Sequence, residues 1–63
     1  MEISNGDKVR YYGEVYYFVG WWKQDYATLA ESVDGKPVKY VFKDLIHLAM
    51  KRDDNGTYHP VLN

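Results

Sequence analysis

Polar and apolar positions alternate with a period of two along most of this chain, which predicts half-buried β-strands rather than helices. Lys8-Val9-Arg10-Tyr11-Tyr12 alternates behind the turn residues Asn5-Gly6-Asp7, placing Val9 and Tyr11 on one face, until Gly13 breaks the pattern. Glu14–Trp22 is too aromatic and β-branched to prefer a helix and predicts a long second strand. Val15, Tyr17, Val19 and Trp21 lie on one of its faces; Tyr16, Phe18 and Trp22 share the other with Glu14 and Gly20. Gly20 suits a bulge or sharp bend that lets one strand serve two sheets.

Beyond the polar Lys23-Gln24-Asp25, Tyr26–Val33 predicts a third strand, Asp34-Gly35 a hairpin turn, and Val38–Lys43 a fourth strand behind Pro37. Asp44-Leu45-Ile46 predicts one helical turn with Leu45 and Leu48 facing inward, and His47–Lys51 a fifth strand. A helix over Lys43–Lys51 competes with this reading, because Leu45, Leu48 and Ala49 have helical spacing. Asp53-Asp54-Asn55-Gly56 predicts a tight turn returning Thr57–Leu62 as an edge strand, a position that Pro60 tolerates.

The length of 63 residues allows one domain and one core. With no cysteine there is neither a disulfide nor a thiolate metal site, and packing alone must hold the fold. The first seven residues lack the basic start and apolar run of a secretory signal, and no stretch reaches the roughly 18 apolar residues of a membrane span. A cytoplasmic protein with no membrane partner is expected. Eight Lys plus Arg against nine Asp plus Glu leave a net charge of -1 with the signs scattered, so neither a strong hold on phosphates nor nucleic-acid mimicry is expected.

Five short strands, a long bent second strand and one helical turn before the last strand resemble the Src-homology-3-like small barrels, which include Tudor, chromo-barrel and KOW domains. Gly6-Asp7-Lys8-Val9 resembles the Gly-Asp-x-Val entry to a first barrel strand. Val41-Phe42-Lys43-Asp44-Leu45-Ile46-His47-Leu48 is similar to a Val-Pro-x-x-Asp-Leu-x-x-Leu segment spanning the fourth strand, short turn and fifth strand. The resemblance covers roughly residues 6–51 and implies an all-β barrel of five or six strands. Phe42 replaces the usual proline, and Tyr12-Gly13 replaces the long acidic loop of peptide-binding members, which argues against recognition of proline-rich peptides. The chain is also similar in style to small accessory proteins of phages and mobile elements.

Aromatic residues make up 17% of the chain, more than one small interior should need. Two readings stand: Tyr16, Phe18 and Trp22 form an outer stripe that docks a protein partner or a second copy of the chain, or the bend at Gly20 buries rings from both faces. The expected binding residues are Tyr12, Tyr16, Phe18, Trp22 and Tyr26, with Arg10 and Lys39. A methyl-ammonium cage would instead converge Tyr11, Trp21, Tyr26 and Tyr40, with Asp25 or Asp44 at its rim. The main rival is nucleic-acid binding, through ring stacking and a stripe of Lys8, Arg10, Lys39 and Lys43.

His47 and His59 fall either on opposite faces or about 13 Å apart along the strands, so no metal is expected to join them. Asp53–Gly56 lacks the spacing and terminal Glu of a calcium loop. Neither Ser4 nor Ser32 sits in a nucleophile motif, and so small a fold offers little pocket volume. The expectation is a non-catalytic binding module or small inhibitor with no cofactor.

Overall fold

The computed structural model describes residues 3–61. Its elements are β1 (Lys8–Tyr11), β2 (Glu14–Trp22), β3 (Tyr26–Ala30), β4 (Pro37–Phe42), a 3-10 turn η1 (Lys43–Leu45), β5 (Ile46–Arg52) and β6 (Tyr58–Pro60). The strands form one antiparallel sheet in the order β4-β3-β2-β1-β5-β6. The protein is therefore all-β, and the competing helix over Lys43–Lys51 shrinks to η1 because Ile46–Arg52 pairs with β1.

The connections dictate a curled sheet. The three residues of η1 link β4, at one end of the order, to β5, four strands along. Flat strands would separate them by about 19 Å at the usual spacing, more than so compact a link covers. Strand β2 makes the curl practicable, because residues 14–17 pair with β1 while residues 17–22 pair with β3. Extents of 27 × 26 × 21 Å fit a curled sheet rather than a flat one. The hydrogen-bonded order nevertheless leaves β4 and β6 as edges, so the sheet is open.

Inside the curl lie Val9 of β1, Tyr16 and Phe18 of β2, Ala27 and Leu29 of β3, Val41 of β4, and Ile46 and Leu48 of β5. Ile3, Tyr11 and Val61 pack against them. Leu45, expected inward, is instead exposed, because η1 turns it out while Ile46 and Leu48 fill the interior.

The turns follow local chemistry. Tyr12 and Gly13 both have positive φ, 48° and 82°, and join the paired residues Tyr11 and Glu14 as a two-residue hairpin turn. Between β5 and β6, the Asp53 carboxylate accepts from the Asn55 and Thr57 N–H groups at 2.9 Å each, and Gly56 takes the left-handed conformation. The Asp34-Gly35 expectation is displaced by a position. Gly35 N–H donates to Ser32 C=O at 3.0 Å, so Val33 and Asp34 are the central residues and β3 stops at Ala30. Strand β6 covers only the middle of the expected Thr57–Leu62, and Leu62 lies outside the described residues.

Asp7 ties the entry of β1 to the end of β5. Its fully buried carboxylate accepts from Lys51 Nζ at 2.8 Å and from the Ser4 and Arg52 N–H groups at 2.9 Å each. Burial pushes this carboxyl up, but the hydrogen bonds from Arg52, Lys51 and Ser4 outweigh it and hold it below its ordinary value. The Gly-Asp pair that carried the family resemblance is therefore a structural clasp.

Candidate functional site

The ring face begins with a one-residue irregularity in β2. Phe18 pairs with Leu29, but Gly20 pairs with Thr28, which leaves Val19 as the extra residue. A bulge reverses the inside-outside alternation of the residues beyond it. Phe18 consequently points into the core, whereas Trp22, four positions later, points out.

The expected outer stripe of Tyr16, Phe18 and Trp22 is thus broken. Tyr16 and Phe18 are only 7% and 1% exposed and belong to the interior, leaving Trp22 as the stripe's sole outer member. The competing reading, burial of rings from both faces, is not met either: both buried rings come from one face, and Trp21 of the other is half exposed against Phe18. Tyr16 keeps its polar tip satisfied by donating from its hydroxyl to Glu14 Oε2 at 2.8 Å. That bond, together with burial, raises the phenol above its ordinary value.

The outer face is rebuilt from other strands. Trp22 pairs with Tyr26 and Tyr26 with Phe42, which makes one row of rings across β2, β3 and β4. Tyr40 belongs to the next row, opposite Thr28. Ring centroids are 5.6 Å apart for Trp22–Tyr26, 5.4 Å for Trp22–Tyr40 and 5.9 Å for Tyr26–Phe42, all edge-to-face. These side chains stay 38–56% exposed, and the exposed Val38 extends the same face along β4. Lys23 lays its ammonium 4.6 Å from the Trp22 ring centroid, and the Lys43–Asp25 ion pair at 3.3 Å sits beside Tyr26 and Phe42 in the chain. The face is apolar at its centre and charged at its border, the usual anatomy of a protein-docking surface.

Other expected residues stand elsewhere. Tyr12 is highly exposed at the β1–β2 turn, its ring 4.6 Å from that of Tyr11. The proposed cage does not assemble, since Tyr11 packs on Tyr12 and Tyr16 while Trp21 packs on Phe18. Tyr26 and Tyr40 meet through Trp22 instead. The basic stripe is likewise divided. Arg10 is exposed on β1, Lys39 places its Nζ 5.9 Å from the Tyr16 ring, and Lys43 is held by Asp25. Lys8 lies over Tyr58 and Tyr17, at 4.5 and 5.4 Å from their centroids.

His59 pairs its strand position with Lys51, four residues from His47, and its Nε2 lies 2.8 Å from Asp53 Oδ2. That contact and the N–H donors of Thr57 and Asn55 hold the Asp53 carboxyl below its ordinary value. A cleft of about 310 Å³ between Asn5, Gly6, Phe18, Val19, Val33, Asp34 and Arg52 includes none of the four outer rings. Phe42 and Val38 are site residues that sequence reasoning missed. The alternation Val38-Lys39-Tyr40-Val41-Phe42 already placed them on one face with Tyr40; which face was open required knowing that β4 is an edge.

No protein-family model matches the chain, and neither does any curated protein or solved structure. The functional reading therefore rests on the chain's own geometry.

Proposed function

We propose that this chain is a non-catalytic binding module that docks a protein partner through the outer face formed by Trp22, Tyr26, Tyr40 and Phe42. One observation carries the reading: four rings on three adjacent strands touch edge to face and remain open to water. Isolated exposed apolar side chains need no explanation, but a contiguous patch on so small a protein exposes hydrophobic area that folding alone would not retain. Tyr and Trp supply large contact area with little rotamer entropy to lose, and they dominate the energy of protein interfaces. The curled sheet, the long shared strand and the short turn before β5 support assignment to the Src-homology-3-like small barrels.

Affinity capture from cells with the whole chain, side by side with Trp22→Ala and Phe42→Ala, tests the reading. A protein enriched by the wild type and lost with both variants, each retaining its strand circular dichroism, is the expected result. Equal capture by all three chains would remove the ring face from consideration. Loss of capture only when Lys8 and Arg10 are replaced, with affinity falling steeply between about 50 and 200 mM salt, would point to nucleic acid instead.

A further inference from the structure

We propose that Asn55 is a site of spontaneous covalent modification in the folded protein, losing its side-chain amide through attack by the Gly56 backbone nitrogen, while the fold protects Asn5. The site lies in the loop between β5 and β6, outside the ring face, and stands whether or not that face grips another protein.

Both asparagines among the described residues, Asn5 and Asn55, are followed by glycine. That neighbour matters because the reaction joins a side chain to the backbone of the next residue, and glycine has neither a Cβ to block the approach nor a narrow range of φ and ψ. The Gly56 N–H gives up its proton to water or hydroxide, and its nitrogen bonds to Asn55 Cγ, closing an imide ring. The Cγ–Nδ2 bond breaks and ammonia leaves. Water then opens the ring. Addition at Cγ gives aspartate, whereas addition at the Asn55 main-chain carbonyl carbon gives isoaspartate, in which the chain runs on through the former side chain. Each ammonia released is matched by a water consumed, and no other reactant is required.

The two sites share this chemistry but are held differently. Gly6 is buried, its N–H donates to Phe18 C=O in β2 at 2.7 Å, and its C=O accepts from the Tyr58 hydroxyl in β6 at 2.6 Å. Ser4 and Asp7 close the turn around Asn5, with Asp7 N–H donating to Ser4 C=O at 3.0 Å and Ser4 N–H to the buried Asp7 carboxylate at 2.9 Å. Freeing the Asn5–Gly6 peptide for ring closure therefore breaks bonds to two strands and opens the Asp7 clasp.

Asn55 is exposed, and among the described residues the hydrogen bonds of Asn55 and Gly56 all end on Asp53 of the same loop. Gly56 N–H donates to Asp53 C=O at 3.0 Å and Asn55 N–H to the Asp53 carboxylate at 2.9 Å. An exposed loop opens at little cost in free energy, whereas a segment tied to the core opens at a cost approaching that of global unfolding. Ring closure needs such an opening at either site, so the fold slows Asn5 far more than Asn55. Either product adds a carboxylate beside Asp53 and Asp54, and isoaspartate also inserts a methylene into the loop that sets Arg52 opposite Tyr58.

The test incubates the whole chain at neutral to mildly alkaline pH, folded and in parallel in urea, separates the more acidic forms by anion exchange over time and assigns each site by peptide mass mapping. In the folded chain Asn55 is expected to react at least about tenfold faster than Asn5, and faster still as pH rises, because the attacking group is the deprotonated nitrogen. In urea the two should react at similar rates. Asn55→Gln, whose longer side chain must close a larger ring, should remove the acidic form that the folded wild type produces. Equal protection of both asparagines in the folded chain overturns the proposal. So does an Asn5 that stays slow in urea, which would place the difference in the neighbouring residues rather than in the fold.

Discussion

Two residues show how differently a side chain can serve so small a fold. Asp7 accepts three hydrogen bonds in the interior, and replacing it with Ala leaves the Ser4 and Arg52 N–H groups without their acceptor. Lys51, partly exposed, can turn to water, which places the loss at about 2–3 kcal/mol rather than at the upper end for buried ion pairs. Chemical denaturation of Asp7→Ala against wild type checks this figure. The lowered carboxyl of Asp7 also fixes a pH dependence: its contribution is complete above the ordinary carboxylate value near 4 and is lost as pH falls through the lower folded-state value. Wild type should therefore lose stability on acidification below about pH 4, and Asp7→Asn should flatten that loss. Some slope should remain, because Asp53 is lowered in the same direction. Gly13 serves through its backbone alone. A Cβ there would meet nothing within 4 Å, yet φ is 82°, so Gly13→Ala should cost about 1 kcal/mol in thermal or chemical melts, a conformational penalty with no steric part.

Among the elements, β2 has the most to reconcile. Its first half closes the core against β1, its second half displays Trp22, and the extra residue at Val19 converts one arrangement into the other. Deleting Val19 should place Phe18 and Gly20 on consecutive paired positions, removing the bulge while Trp22 stays opposite Tyr26 and faces out. The expected readout is Trp22 emission, in a Trp21→Phe background, that keeps the wavelength of a half-exposed indole; a blue shift would show that Val19 is not the extra residue. Strand β4 is simpler, since it contributes Val41 to the interior and leaves Val38, Tyr40 and Phe42 open. Its exposed alternate residues supply part of the face of rings.

For the whole molecule, a chain of 63 residues has a stability of only about 3–9 kcal/mol. Phe18 is buried in its middle, and Phe18→Ala should cost about 3–5 kcal/mol, leaving a large unfolded fraction at 25 °C by circular dichroism. Trp22→Ala removes a half-exposed ring with two neighbours and should cost about 1 kcal/mol, retaining the fold. The contrast between these substitutions separates the two classes of ring that composition alone merges. A melt in which Trp22→Ala is as damaging as Phe18→Ala would assign the outer array to the core.

Strand content, the length of β2, the turn residues and the short 3-10 segment were legible in the chain, because alternation, glycine and proline act over a few neighbouring residues. Val9, Leu48 and the Gly-Asp start of β1 could be placed for the same reason. That Trp22 would part from Tyr16 and Phe18 could not be read, since one extra residue at Val19, set by the register against β3, reverses every position after it. Nor could local pattern say that β4 would end the sheet and leave Phe42 and Tyr40 open. Pairing order is a long-range outcome: each strand presents the same backbone groups, and the curled assembly selects which remain unpaired.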